Sequence, residues 1–162
     1  MTDATDPKRQ MLRHTLATLA YRAGKTLHGA PQDFAGFQAD PGTRTPAQIL
    51  AHVGDLLDWA LWLCQGEHRW SDSRPLPWAA EVSRFFAALR RLEDYLASGS
   101  ALGATPEKLF QGPIADALTH AGQLALLRRM AGAPVRAENY FKAEIQAGRV
   151  GPEQSAKRVE FD

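Results

Sequence analysis

The sequence predicts an all-α protein, a four-helix bundle followed by a short helical C-terminal extension over 136–162. Three observations carry that prediction. Apolar residues recur at three- and four-residue steps through four long stretches, the period of a single helix face. Two of these stretches open on a threonine followed by a proline, Thr45-Pro46 and Thr105-Pro106, which joins an N-cap hydroxyl to a residue suited to the first helical position. No strand signal competes anywhere along the chain.

The first helix is expected from about 6 to 28, with Leu12, Leu16, Leu19, Ala20, Ala23 and Leu27 as its apolar stripe and His14 on the solvated side. A loop rich in Gly, Pro and Asp (GAPQDFAGFQADPG) separates it from Thr45-Pro46-Ala47-Gln48, where threonine and glutamine can close a capping box. The second stripe is Ile49, Leu50, Val53, Leu56, Leu57, Ala60 and Cys64, and it fades at Gln65-Gly66, where glycine suits a C-terminal cap. After SDSRPLP, a third helix carries Trp78, Val82, Phe85, Phe86, Leu89, Leu92 and Leu96 and ends near Ser98-Gly99. Thr105-Pro106-Glu107 opens a fourth helical stretch, Gly112-Pro113 restarts or kinks it, and Ala131-Gly132-Ala133-Pro134 stops it. The pattern predicts one more short helix from about 137 to 147, with Tyr140, Phe141 and Ile145 packed on the bundle. A charged, less ordered tail, EQSAKRVEFD, would follow it. Connections of this length fit a bundle with at least one crossover.

Composition narrows the function classes. A chain of 162 residues suits one domain, 1–162, and can bury about two thirds of its unfolded surface without disulfides or a structural metal. With 19 basic and 18 acidic side chains the formal charge is +1, which argues against a nucleic-acid or anionic-membrane partner. The single cysteine, Cys64, has no partner in the chain and lies within an apolar stripe, so a buried, inert thiol and a reducing compartment are expected. The amino terminus, MTDATDPKRQ, is polar, and no run approaches the roughly 18 to 20 apolar residues of a membrane span, so a cytoplasmic protein is expected. No glycine-rich phosphate loop, paired cysteines or nucleophile elbow is present. The doublets Arg90-Arg91 and Arg128-Arg129 read as solvated faces. Trp59, Trp62, Trp70 and Trp78 gather around the second connection, as core, a dimer interface or a pocket wall.

The segment GPIADALTHAGQLALLRR bears the clearest chemistry. Asp116 and His120 stand four apart and Gln123 follows three later, so all three project from one strip of the fourth helix. A carboxylate and an imidazole buried together are costly unless they pair or ligate a cation. The strip also fits a solvated face with a weak Asp–His contact. His52 flanks the second stripe, beside Trp59, and is a boundary histidine unless a helix interface brings it to Asp116 and His120. Two imidazoles and a carboxylate would then leave positions open for water and substrate, as catalytic rather than structural sites do. His14, His28 and His68 have no such context.

These residues give the chain its resemblance to the DinB/YfiT-like family of metalloenzymes, over essentially its whole length. The carrying motifs are TPAQILAHVGDLLDWAL, with its mid-helix histidine, and DALTHAGQLALLRRMAG, with a histidine, a Gly-Gln pair and a leucine-arginine end. The resemblance implies an up-down-down-up bundle, a homodimer, and a divalent metal (Zn, Ni, Mn or Fe) held by His52, Asp116 and His120, with Gln123 orienting a ligand from behind. Where the family usually has a histidine, this chain has Asp116, a harder donor. Relatives of the fold include S-transferases and isomerases that use low-molecular-weight thiols. The implied activity is therefore metal-dependent transfer or hydrolysis on a small-molecule substrate. The competing reading is a non-catalytic bundle that binds a small ligand or a protein partner.

Overall fold

Each long helix starts and stops where local chemistry dictates. The computed structural model describes residues 4–161; the first three residues of the polar amino terminus and Asp162 of the charged tail lie outside the described residues. Helix α1 (Pro7–Leu27) opens at Asp6, whose carboxylate accepts the Lys8 N–H at 3.3 Å, and its chain turns away at Gly29 with φ +63°. Helix α2 (Pro46–Cys64) begins with the reciprocal box read from the sequence. The Gln48 N–H donates to Thr45 Oγ1 at 3.2 Å, and the Thr45 N–H donates to Gln48 Oε1 at 2.9 Å. Helix α3 covers Trp78–Ala97. Helix α4 (Pro106–Leu109), capped by Thr105, runs through a π turn (Phe110–Ile114) into α5 (Ala115–Met130). The kink expected at Gly112-Pro113 is thus a widened turn. Proline has no N–H to give and crowds the carbonyl four residues back, and a π turn accommodates both.

Helix α1 packs on α3 and α5, and α2 packs on the same two helices, so α1 and α2 occupy opposite corners and the connection between them crosses the bundle end. The predicted stripes of α1 and α2 are all buried, together with Phe85, Leu89, Leu92 and Leu96 of α3 and Leu124 and Leu127 of α5. Each such leucine contributes roughly 2 kcal/mol. Stability therefore resides in this apolar core rather than in the polar cluster between α2 and α5. Among the described residues no helix is long and apolar enough to cross a membrane.

Three expectations are corrected. The predicted 137–147 helix is a single 3-10 turn, Tyr140–Lys142, within extended chain, and the tail folds back on it. The Asn139 N–H donates to Val159 O and the Phe161 N–H to Ala137 O, both at 2.9 Å, around a bridge between Glu138 and Glu160. Glu138 holds this segment to α1: its buried carboxylate accepts from Tyr21 Oη and, at 2.8 Å, from Lys25 Nζ. Tyr140 packs edge-on to Tyr21, but Phe141 does not pack on the bundle and is 96% exposed. Finally, Arg128 is buried rather than solvated. Its guanidinium donates to Thr26 O at 2.8 Å, His28 O at 3.1 Å and Ala133 O at 2.7 Å, satisfying carbonyls at the ends of α1 and α5.

Candidate metal centre

Helices α2 and α5 meet with His52, Asp116 and His120 facing one another. His52 Nε2 lies 3.5 Å from Asp116 Oδ2, and His120 Nε2 lies 3.4 Å from Asp116 Oδ1. The two imidazoles stand nearly perpendicular with centroids 4.8 Å apart, and one donor atom from each of the three residues falls within 4.8 Å of the others. An ion bound at about 2.0–2.2 Å by nitrogen and oxygen in tetrahedral geometry holds its donors about 3.4 Å apart. The two Asp116–imidazole separations match that spacing, and a small inward movement of the full set, now spread over up to 4.8 Å, is needed for all three donors to reach one ion, so the cluster could hold a divalent ion. The π turn ahead of α5 contributes to this arrangement, because its extra residue rotates everything that follows relative to α4 and so sets the direction of Asp116.

The surroundings leave imidazole lone pairs available. Gln123 Oε1 lies 2.7 Å from His120 Nδ1 and, as an amide oxygen, can only accept. A bond in that direction uses the Nδ1 proton and leaves Nε2, on the side of Asp116, to offer a lone pair to a cation. At His52, burial, then the neighbouring His120, then Arg44 depress the pKa below the ordinary histidine value, against the opposing pull of Asp116. The ring is neutral at physiological pH. Asp116 keeps a side chain 47% exposed, which leaves a side of the cluster open to solvent.

Two cavities adjoin the cluster. On the His52 side a polar cavity of about 340 Å³ is lined by Arg44, Gln48, Asp55, Ser73 and Arg74. On the His120 side an apolar cavity of about 480 Å³ is lined by Ile49, Leu126, Leu127 and Met130, and Arg44 borders both. The loop that closes the polar side has no regular structure and is pinned at two points. Buried Asp55 accepts the Ser73 N–H at 2.8 Å and its hydroxyl at 2.7 Å, and Glu81 accepts the Leu76 N–H at 2.8 Å. The same loop carries Trp70, whose ring meets His52 edge-on at 5.7 Å and Trp59 at the same distance.

The sequence-derived residues His52, Asp116, His120 and Gln123 are thus brought together. His14, His28 and His68 stand apart; His68 packs on Trp59 at 6.0 Å. Arg44, Asp55 and Arg74 escaped the sequence reading, whereas Trp70 enters it as one of four tryptophans expected in the core, a dimer interface or a pocket wall. A signal existed only for Arg44, which directly precedes the Thr45 cap and so lies two helical turns from His52. The fold and site define a class: an all-helical bundle whose His-Asp-His cluster can hold a metal ion. Beyond that class, no family model, curated protein or solved structure matches the chain.

Proposed function

We propose that this protein is a divalent-metal-dependent enzyme of the DinB/YfiT-like kind, acting by transfer or hydrolysis on a small-molecule substrate. The ligands are His52, Asp116 and His120, and the bundle has the up-down-down-up order of that family. The observation that carries the reading is the convergence of two imidazole Nε2 atoms and one carboxylate from two helices on a point beside two cavities. Bound there, the metal supplies Lewis acidity that lowers the pKa of a thiol or water. Asp116 extends the acceptable ions from zinc and nickel toward manganese and iron.

The chain's own residues set the conditions for this chemistry. Gln123 keeps the proton on His120 Nδ1. The neutral state of His52 leaves its Nε2 able to donate to a cation. Trp70 restricts access from the α2–α3 loop, while Leu126 and Met130 give the His120 side an apolar wall. Buried Cys64 is excluded as a nucleophile, because burial pushes its thiol up to about 12. The attacking group then comes from water or from a co-substrate, and a low-molecular-weight thiol fits the second role.

The test is elemental analysis of purified protein beside His120→Ala, with circular dichroism on both. The reading expects near-stoichiometric metal in the first, none in the second, and unchanged helicity, since the leucine core is independent of the cluster. Metal absent from both after incubation with zinc, nickel and manganese would overturn it and leave a ligand-binding bundle.

A further inference from the structure

We infer that the substrate of this centre is an amphiphilic monocarboxylate, its anionic group received by Arg44 and Arg74 and its apolar part by the cavity of Ile49, Leu126, Leu127 and Met130. The inference rests on the proposed function for the identity of the reacting site, and on separate observations for the ligand's chemistry.

The first is a pair of arginines without counter-ions. Most guanidinium groups near this face are neutralised: Arg84 pairs with Asp55 and Glu81, and Arg91 with Asp58 at 2.7 Å. Arg44 and Arg74 line the polar cavity beside His52, yet neither makes an ion pair or a side-chain hydrogen bond among the described residues. Asp72 borders the same cavity and is likewise unpaired, whereas Asp55 is committed to Arg84 and Ser73. The two unpaired guanidinium groups outnumber the one unpaired carboxylate, while Arg84 is shared among Asp55, Asp58 and Glu81, so the cavity as a whole carries little net charge. That balance suits a single carboxylate and disfavours a phosphate dianion.

The second observation is that Arg74 is held in place. Its loop is exposed and irregular, but Ser73 on one side is bonded twice to buried Asp55 and Leu76 on the other to buried Glu81. A buried carboxylate that spends two hydrogen bonds on a surface loop fixes the residue between its anchors. Arg44 is fixed from the other direction, by the capping box that follows it. The third is the apolar cavity, which Arg44 borders as well. Leu126 and Met130 stand 58% and 52% exposed at its edge, apolar area that a ligand's hydrocarbon would cover. A molecule with its carboxylate at Arg44 can therefore lay an apolar group past His120, which brings the atoms between them to the cluster.

The experiment uses calorimetry on metal-free protein with octanoate, octanamide, acetate and inorganic phosphate, alongside separate measurement of metal uptake. Octanoate should bind roughly tenfold or more tightly than octanamide, which lacks the charge, and than acetate, which lacks the chain. Arg44→Gln and Arg74→Gln should each weaken octanoate roughly tenfold without loss of helicity or of metal uptake, and Met130→Gln should weaken octanoate but not acetate. Octanamide binding as well as octanoate, phosphate binding more tightly than octanoate, or arginine variants matching the parent would overturn the inference. Octanoate bound by a protein that takes up no metal upholds the inference and overturns the metalloenzyme reading. Metal taken up without octanoate binding does the reverse.

Discussion

Gln123 offers a test of the centre that leaves all three donors in place. Its amide oxygen accepts from His120 Nδ1 at 2.7 Å and is the group that fixes which nitrogen of the ring carries the proton. In Gln123→Ala the ring loses that partner and is free to rotate or to protonate Nε2, the atom turned toward Asp116. Removing such a hydrogen-bond partner costs about 10- to 100-fold in metal affinity. Gln123 lies on the exposed side of α5, so water replaces part of the bond, and the lower end, roughly tenfold or about 1.4 kcal/mol, is expected. The same exposure limits any change in folding stability to about 0.5 kcal/mol. Gln123→Glu keeps an acceptor and adds a negative charge behind the ring, so it should bind zinc more tightly than the parent. The assay is competition for zinc against a chromophoric chelator at neutral pH, with thermal melts of the metal-free proteins. Parental affinity in Gln123→Ala would refute the positioning role. So would a loss of affinity matched by an equal loss of stability, since the residue would then act only through the fold.

Other positions give equally direct tests. A Cβ at Gly103 would sit 2.3 Å from Gly66 N and Cα and 2.9 Å from Leu63 O, so Gly103→Ala must move backbone and should lower stability by roughly 1–3 kcal/mol in urea denaturation. Glu138→Ala strands Lys25 and Tyr21 in a buried pair whose side chains are 0% and 9% exposed at Glu138 and Lys25, and should cost about 3 kcal/mol, the low end for such pairs because Lys25 keeps Glu160 at 2.9 Å. Burial works to raise the Glu138 pKa, but the hydrogen bonds from Lys25, Tyr21 and the Val159 N–H outweigh it and hold the group below the ordinary 4.5. The gap between parent and Glu138→Gln should therefore be full at neutral pH, begin to close below 4.5 and vanish as pH falls through the depressed folded value. Cys64 should resist a thiol reagent at pH 8 in the folded protein and react once guanidinium chloride unfolds it.

The parts of this molecule that were legible in its sequence are those governed by local rules. The Thr45-Gln48 box, the Thr105 cap and the stripes of α1, α2 and α3 depend on residues within a few positions of one another, and the structure places them as read. His52, Asp116 and His120 were legible one helix at a time, as a boundary histidine and an i,i+4 pair; their meeting depends on how α2 packs on α5. The 137–147 stretch shows how local rules fail. Its helix formers are overruled by one contact across 117 positions, Glu138 with Tyr21, and by pairing with chain near 160. Arg128 belongs to the same category: its doublet reads as surface, but three carbonyls at two helix ends draw it inward. Arg74 and Trp70 sit in a loop without periodicity, where Asp55 and Glu81, buried on α2 and α3, give the chain a fixed place.

Asp116 in place of the histidine usual for the resembled family gains a physical reason from its neighbours. Three neutral imidazoles around a divalent ion would leave two full positive charges close to Arg44, which already depresses His52. A carboxylate ligand removes one of them, so the ion and the free arginines of the polar cavity can coexist near one wall. Asp116→His should on this argument keep zinc, because three donors remain, while binding it less tightly than the parent and losing more affinity for manganese, which favours oxygen ligands. Parallel titrations of both metals into parent and variant measure the two losses. No loss for either zinc or manganese would show that Asp116 does not touch the ion. Zinc bound more tightly by the variant would show that repulsion from Arg44 is too weak to explain the carboxylate.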